Sequence, residues 1–240
     1  YWPIIQTFKD AFTMQDAFGF GSQFAGFDNF LFIFSDPSYF TAFKFTIIYS
    51  FVITLITGSI GLLLAVQANK VMHGKSAYKT LLIWPYALAP AVVGVMANYF
   101  FSERYGLLHH LFNNLWGFNW YENVFDAYIY VIIAGSWKQI SANFIFFLAG
   151  LQAIQKTVIE ASIIDCKSNI RRFWTITFPL LMPTTFFLII INITYAFFDT
   201  FGIIDTTTIG APGSETKTLV YKAYIDGFKG LDLGLSLIHI

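Results

Sequence analysis

FTIIYSFVITLITGSIGLLLAV, Phe45 to Val66, contains no charged residue, and none occurs anywhere between Lys44 and Lys70. A bilayer core of about 30 Å is crossed by about 20 apolar residues in helical form. The stretch also lacks the polar stripe carried by a helix half-buried in a soluble core. It reads as a membrane-spanning helix. Working outward, TLLIWPYALAPAVVGVMANYFFS lies between Lys79 and Glu103, and FWTITFPLLMPTTFFLIIINITYAFF fills the gap from Arg172 to Asp199. AYIYVIIAGSWKQISANFIFFLAGL, between Asp126 and Lys156, is interrupted by Lys138 alone. The expected spans are 45–66, 80–102, 127–150 and 179–201, with a further one starting from 231. The fold class is all-α, a polytopic membrane protein.

The composition agrees. Of 240 residues 56% are apolar and only 12% charged, with 14 basic against 14 acidic side chains. Soluble domains carry about 25% charged residues. A disordered tail and a basic nucleic-acid binder are excluded on these grounds. The single cysteine, Cys166, excludes an internal disulfide and a multi-cysteine metal site. Both ends read as cuts through a longer protein. YWPIIQTF, from Tyr1, has the aromatics and proline of an interfacial helix exit. The closing LSLIHI, Leu235 to Ile240, resembles the translation of a transposon-derived sequencing adapter. No signal peptide is visible, and a cut start would hide one.

Lysine and arginine set the orientation. Lys70, Lys75 and Lys79 sit in the loop 67–79, and Lys156, Lys167, Arg171 and Arg172 in the loop 152–178. These two short loops hold half of the basic residues and are expected to face the cytoplasm, with Tyr1 to Lys44 on the outer side.

The second of these loops carries a pattern. TVIEASIIDCKSNIRRFWTITFPLLMP, Thr157 to Pro183, reads as two short helices with a break. Thr157 and Glu160 have the spacing of a capping box, Asp165 to Ser168 forms a turn, and Ser168 caps the next helix. Pro179 and Pro183 mark the start of the following span. On composition alone this is an amphipathic loop on the membrane surface. At these residues, however, the chain resembles the membrane subunits of binding-protein-dependent ABC importers. Their cytoplasmic signature is E-A-A-x-x-D-G-A, five residues, then F-x-x-I-x-L-P-x-x-x-P. Glu160, Ala161, Asp165, Phe173, Ile176, Pro179 and Pro183 match in register, while Ser162, Cys166, Lys167 and Phe178 depart from it. In the family a glycine stands at the place of Cys166, and a left-handed turn there would strain any other residue.

The resemblance extends over LLIWPYALAPAV (81–92), SWKQISANFIFFLAGLQAI (136–154), TYAFFDTFGIIDTTTIGAP (194–212) and TLVYKAYIDGFKGLDLG (218–234). It points to the carbohydrate-type permeases, and more narrowly to the permeases of bacterial sn-glycerol-3-phosphate importers, with a sugar or oligosaccharide importer as the alternative. It implies a type I ABC importer transmembrane domain of six helices, here lacking the first and most of the last. It also implies a second homologous permease subunit, two cytoplasmic ABC ATPase subunits, a periplasmic substrate-binding protein, membrane lipid around the helices, and the bacterial inner membrane as the location. The resemblance assigns contact with the ATPase to the helix around Glu160, Ala161, Ile163, Ile164, Asp165 and Cys166. Phe173, Pro179 and Pro183 shape the loop. Arg171 and Arg172 have two open readings: pairs with ATPase carboxylates, or anchors beside anionic lipid.

Lys138 is the cation within a span, and intramembrane charges usually face a cavity or a partner. It is a candidate for attracting a substrate phosphate, against a structural pair or a snorkel. Asn143 and Asn192 are candidates for the translocation path, against bonding between helices, which is the commoner use of such groups. Asp199 lies near the outer interface. Other signals are weak. His73-Gly74-Lys75-Ser76 lacks the first glycine and preceding strand of a phosphate loop, and His109-His110 has no carboxylates at metal spacing and is expected on a polar surface. The chain has no catalytic constellation, cofactor or metal motif, so ATP hydrolysis is expected on a separate subunit. An ion-coupled secondary transporter would want more ionisable groups at mid-membrane.

Overall fold

The computed structural model describes residues 1–15, 22–70, 75–166 and 168–238. In chain order these form α1 (Trp2–Ala11), β1 (Thr13–Gln15), β2 (Ser22–Phe24), α2 (Asp28–Ser35), α3 (Pro37–Lys70), α4 (Lys75–Ile83), α5 (Pro90–Phe100), α6 (Leu107–Trp116), α7 (Val124–Ala153), α8 (Lys156–Asp165), α9 (Asn169–Arg172), α10 (Phe178–Leu180), α11 (Met182–Phe198), α12 (Phe201–Thr206), α13 (Leu219–Tyr224) and α14 (Leu233–Ile238). The chain is helical apart from one small hairpin among the described residues, β1 antiparallel to β2 with Thr13 opposite Phe24.

Two helices, α3 and α7, are long and apolar enough by themselves to cross a membrane, and two further candidates are broken pairs. In the expected span 80–102, α4 passes through a 3₁₀ turn at Trp84–Ala87 and stops at Leu88, whose backbone is extended (φ −75°, ψ 138°). Ala89 stays non-helical as well, as expected of the residue before Pro90, so the helix cannot resume until the proline. In the expected span 179–201, the helical run 169–180 and α11 meet at a 70° bend. Pro183 lacks an N–H, so the carbonyl of Pro179 loses its helical donor there. Where the span reading starts at 45, α3 begins at Pro37. Asp36 caps it by accepting the Ser38 N–H (2.9 Å) and hydroxyl (2.9 Å).

The chain divides into two compact units. One comprises 1–49, 90–131 and 196–240. In it the Asn29 amide donates to the carbonyls of Ala11 (3.1 Å) and Thr13 (3.0 Å), which fixes α2 against α1 and the hairpin. Gly234 of α14 sits so close that a Cβ there would lie 2.4 Å from the Thr13 carbonyl oxygen. Phe101, Phe118 and Tyr130 form a buried aromatic cluster, with ring centroids 4.7 Å apart for Phe101 and Tyr130. The Tyr130 hydroxyl donates to the Asn98 Oδ1 at 2.6 Å, and the Asn98 amide donates to the carbonyl of Thr206, tying α5 to α12.

The other unit comprises 50–89 and 132–195. Ala65, Ala68, Phe144, Phe147, Leu148, Leu151, Leu181 and Leu188 make its core, small residues of α3 letting the larger ones of α7 and α11 approach. The Trp84 and Trp137 rings pack edge to face at 5.8 Å.

Candidate functional site

The loop between α7 and α11 is two short helices and a turn. α8 starts at Lys156 with Gln155 as its cap, and the Gln155 carbonyl accepts from the amides of Val158 (3.1 Å) and Ile159 (3.3 Å). Thr157 therefore lies inside the helix, and the expected capping box with Glu160 is not formed. The Ser162 hydroxyl turns inward and donates to the Ile159 carbonyl at 2.6 Å, while Glu160 and Ala161 are exposed. Ile163 and Ile164 are exposed too, Ile164 to 85%. The two isoleucines form an exposed apolar tip at the end of α8 that none of the described residues covers.

Asp165 closes α8, and Cys166 follows with φ −128° and ψ 105°. That is extended backbone open to any residue, so the strain expected of a cysteine in a left-handed turn does not exist here. Lys167 lies outside the described residues, as do His73 and Gly74. Ser168 caps α9, its hydroxyl accepting from the Arg171 N–H at 3.5 Å. Arg171 is exposed, whereas Arg172 is half-buried and donates from Nη2 to Asn169 Oδ1 at 2.7 Å. A π-helical turn over Phe173–Thr177 carries the chain into α10 and Pro179. Such wide turns are rare and concentrate at functional sites. A groove of about 550 Å³ opens beside this run, lined among others by Lys70, Ile154, Ile159, Arg172, Phe173 and Trp174.

Within the same unit the buried polar residues of three helices meet. Asn192 Oδ1 accepts from Gln139 Nε2 (2.8 Å) and Asn143 Nδ2 (2.9 Å), and Asn192 Nδ2 donates back to Asn143 Oδ1 (3.0 Å). Asn143 Nδ2 also reaches Thr57 Oγ1 at 3.3 Å. α3 comes this close because residue 61 is glycine: a Cβ there would stand 2.6 Å from that of Asn143. Lys138, one residue from this network in sequence, is half-buried and engaged in interactions of its own. Asp199 is exposed.

The other unit holds three features that the sequence reading did not assemble. Lys222 Nζ lies 3.0 Å from both Asp36 Oδ2 and Asp226 Oδ2, and Lys222 is 9% exposed. Burial acts against charge on Asp36, yet the Lys222 ammonium and the Ser38 hydrogen bonds outweigh it and hold the carboxyl below its ordinary range. Burial likewise acts against the ammonium of Lys222, and the two carboxylates reverse it, raising its pKa. Asp126 is the second feature: fully buried, it accepts the Trp116 indole N–H (3.2 Å) and the Asn119 amide (2.9 Å). The third corrects an expectation. His109 is buried beside Phe118 rather than on a polar surface, packed by the aromatic cluster. Among the described residues no group of three or more His, Cys, Asp or Glu is arranged to hold a metal.

The family described as the inner membrane component of binding-protein-dependent transport systems matches residues 25–220. The chain belongs to that family. Its relatives include the sn-glycerol-3-phosphate transport system permease protein UgpA of Rhizobium meliloti, 48% identical over 98% of this chain and 81% of the relative. The proteins of that name from Agrobacterium fabrum (47%, 98% and 81%) and Yersinia enterocolitica (43%, 98% and 80%) are similar as well. Among solved structures, a bacterial ABC transporter that imports the acidic polysaccharide alginate superposes with a TM-score of 0.79 at 20% identity, over all of this chain and 82% of that one. The same transporter in complex with an alginate pentasaccharide-bound periplasmic protein gives 0.77 at 21% identity, over all of this chain and 81% of that one. These establish the permease fold.

As an inner membrane component of a binding-protein-dependent system, the protein is a transport subunit with its apolar helices in the inner membrane. The signals for the Asp36–Lys222–Asp226 cluster were present piecemeal: Asp-Pro-Ser is a helix start, and Lys222 and Asp226 are four apart. Nothing in the sequence joins residue 36 to residue 222.

Proposed function

We propose that the chain is a permease subunit of an ATP-driven importer of sn-glycerol-3-phosphate. It works with a second homologous permease subunit, two cytoplasmic ABC ATPase subunits and a periplasmic substrate-binding protein. The observation that carries this is identity of 43–48% across 98% of the chain to permeases named for that substrate. ATP hydrolysis belongs to the partner ATPase. α8 seats in a cleft of that ATPase, with Glu160 on the polar contact, Ala161 beside it and Ile163 and Ile164 as the apolar plug. Burying two such side chains on docking supplies about 1.5–3 kcal/mol each before ordering costs. Movement of α8 is passed backward to α7, a continuous helix, and forward through the π turn, Phe173 and the bend at Pro179 and Pro183. Arg171 stands exposed beside the docking face, where an ATPase carboxylate can meet it.

In the membrane, Asn143 and Asn192 spend their amides on each other and on Gln139, so in this reading they hold α3, α7 and α11 in one arrangement. Lys138, a compact cation within a span, is the candidate to meet the substrate's phosphate. The test is uptake by the full complex, with its binding protein, in ATP-loaded proteoliposomes. Accumulation of sn-glycerol-3-phosphate is expected. Accumulation of an oligosaccharide with none of sn-glycerol-3-phosphate would replace the substrate and keep the subunit role, and ATP-independent uptake would end both. Unchanged uptake at low substrate by Lys138→Met would remove Lys138 from the path.

A further inference from the structure

The groove beside α9 has two kinds of wall. Its floor is apolar, with Ile154 and Phe173 half-buried and Trp174 57% exposed at the edge. Its rim carries Lys70 from the end of α3 and Arg172 from α9, with Asn169 between. Among the described residues no carboxylate lines it. Arg172 uses one donor on Asn169, which orients the guanidinium and leaves the remaining N–H groups of its fork available. Lys70 is exposed. By the distribution of basic residues this rim lies at the cytoplasmic face, where the leaflet is anionic and aromatic side chains sit at headgroup level.

We propose that this groove binds one anionic phospholipid of the inner leaflet, its phosphate held by Lys70 and Arg172 and an acyl chain laid along Ile154, Phe173 and Trp174. Charge complementarity selects the headgroup: among the described lining residues two are cations and none is an anion. The apolar floor selects a lipid over a free phosphate, because an inorganic anion would have nothing to place there. The groove borders both α8 and the π turn, so a lipid seated in it touches the segment that the proposed coupling movement must shift. The site itself rests on the orientation of the chain and is independent of the substrate.

The experiment is native mass spectrometry of the full complex released from nanodiscs, which reads lipid occupancy without transport. Discs of phosphatidylcholine with one-fifth phosphatidylglycerol are compared for wild type, Lys70→Gln with Arg172→Gln, Arg172→Lys and Trp174→Ser. Wild type is expected to retain phosphatidylglycerol over phosphatidylcholine. The double glutamine variant should lose about fivefold in retention per charge removed, Arg172→Lys should keep most of it, and Trp174→Ser should lose it with the rim intact. Subunit stoichiometry in the same spectra reports whether each variant assembled, and an unassembled variant is replaced by the corresponding single glutamine variant. Equal retention in all variants overturns the proposal. Retention abolished by inorganic phosphate and unaffected by Trp174→Ser also overturns it, leaving an anion site without a lipid.

Discussion

In one unit Asp36, Lys222 and Asp226 meet as ions; in the other Thr57, Gln139, Asn143 and Asn192 meet as neutral groups. Both clusters join segments far apart in sequence, and both are buried. The ionic one uses residues outside the spans, at a helix cap and on a short helix. The neutral one lies within α3, α7 and α11, in the middle of apolar runs. The difference follows from what hydrocarbon charges for each kind of group. A charged side chain at mid-bilayer costs about 3 kcal/mol or more, whereas an interhelical amide bond returns about 0.6 kcal/mol and strands nothing when every partner is present.

The comparison can be tested hardest at Lys222. Lys222→Met leaves two carboxylates facing each other without the ammonium that bridges them, Lys217 acting on them only from further off, and a loss of about 3 kcal/mol is expected. Thermal unfolding of the assembled complex would show it, with Asp226→Asn in the same chain recovering part. No loss would mean that the ions are incidental. The amide network should give a smaller effect with a distinct signature. Asn192→Leu removes the partners of Gln139 Nε2 and Asn143 Oδ1, costing about 1–3 kcal/mol, and adding Asn143→Leu should cost little more or restore stability. Strict additivity would contradict a closed network. Gly61→Ala forces a methyl group against Asn143, and a loss of about 1–3 kcal/mol is expected.

The two clusters also differ in pH. Because the Asp36 pKa is lowered on folding, its contribution is complete above the ordinary carboxylate value of about 3.9 and lost as pH falls through the lowered one. The Lys222 pKa is raised, so its contribution is complete below about 10.4 and lost as pH rises through the raised value. The protection of amides near residues 219–226, measured against their intrinsic exchange rates, should therefore fall at the acid extreme in wild type and change less with pH in Asp36→Asn. Exchange near 139–143 should not follow, since that network contains no titrating group. The smallest effect is expected in the loop that belongs to neither cluster. Cys166→Gly should leave stability unchanged or lower it by up to about 1 kcal/mol, through the added freedom of the unfolded chain. A gain would mean that the cysteine is strained after all.

The long apolar runs of α3 and α7 were plain in the sequence because a membrane helix satisfies its own backbone and needs only length and apolarity. The two short helices of the loop 152–178 were plain too, since their breaks and caps are local. Thr157 shows where local reading fails. Its spacing to Glu160 fits a capping box, but Gln155 takes the cap two residues earlier. His109 fails differently: two adjacent histidines look polar, and only the packing of Phe118 and its neighbours puts one of them inside.

The sequence by itself determined that this is an apolar helical membrane subunit and that half of its basic residues gather in two short loops. These depend on composition and short spacings, which act within a few turns of chain. Tertiary structure alone decided that Lys222 pairs with Asp36, that Asn192 closes on Asn143 and Gln139, and that Ile164 stands bare while Ser162 turns inward. Each of these is a meeting of side chains from distant segments or a choice of helix face, and both are fixed by packing.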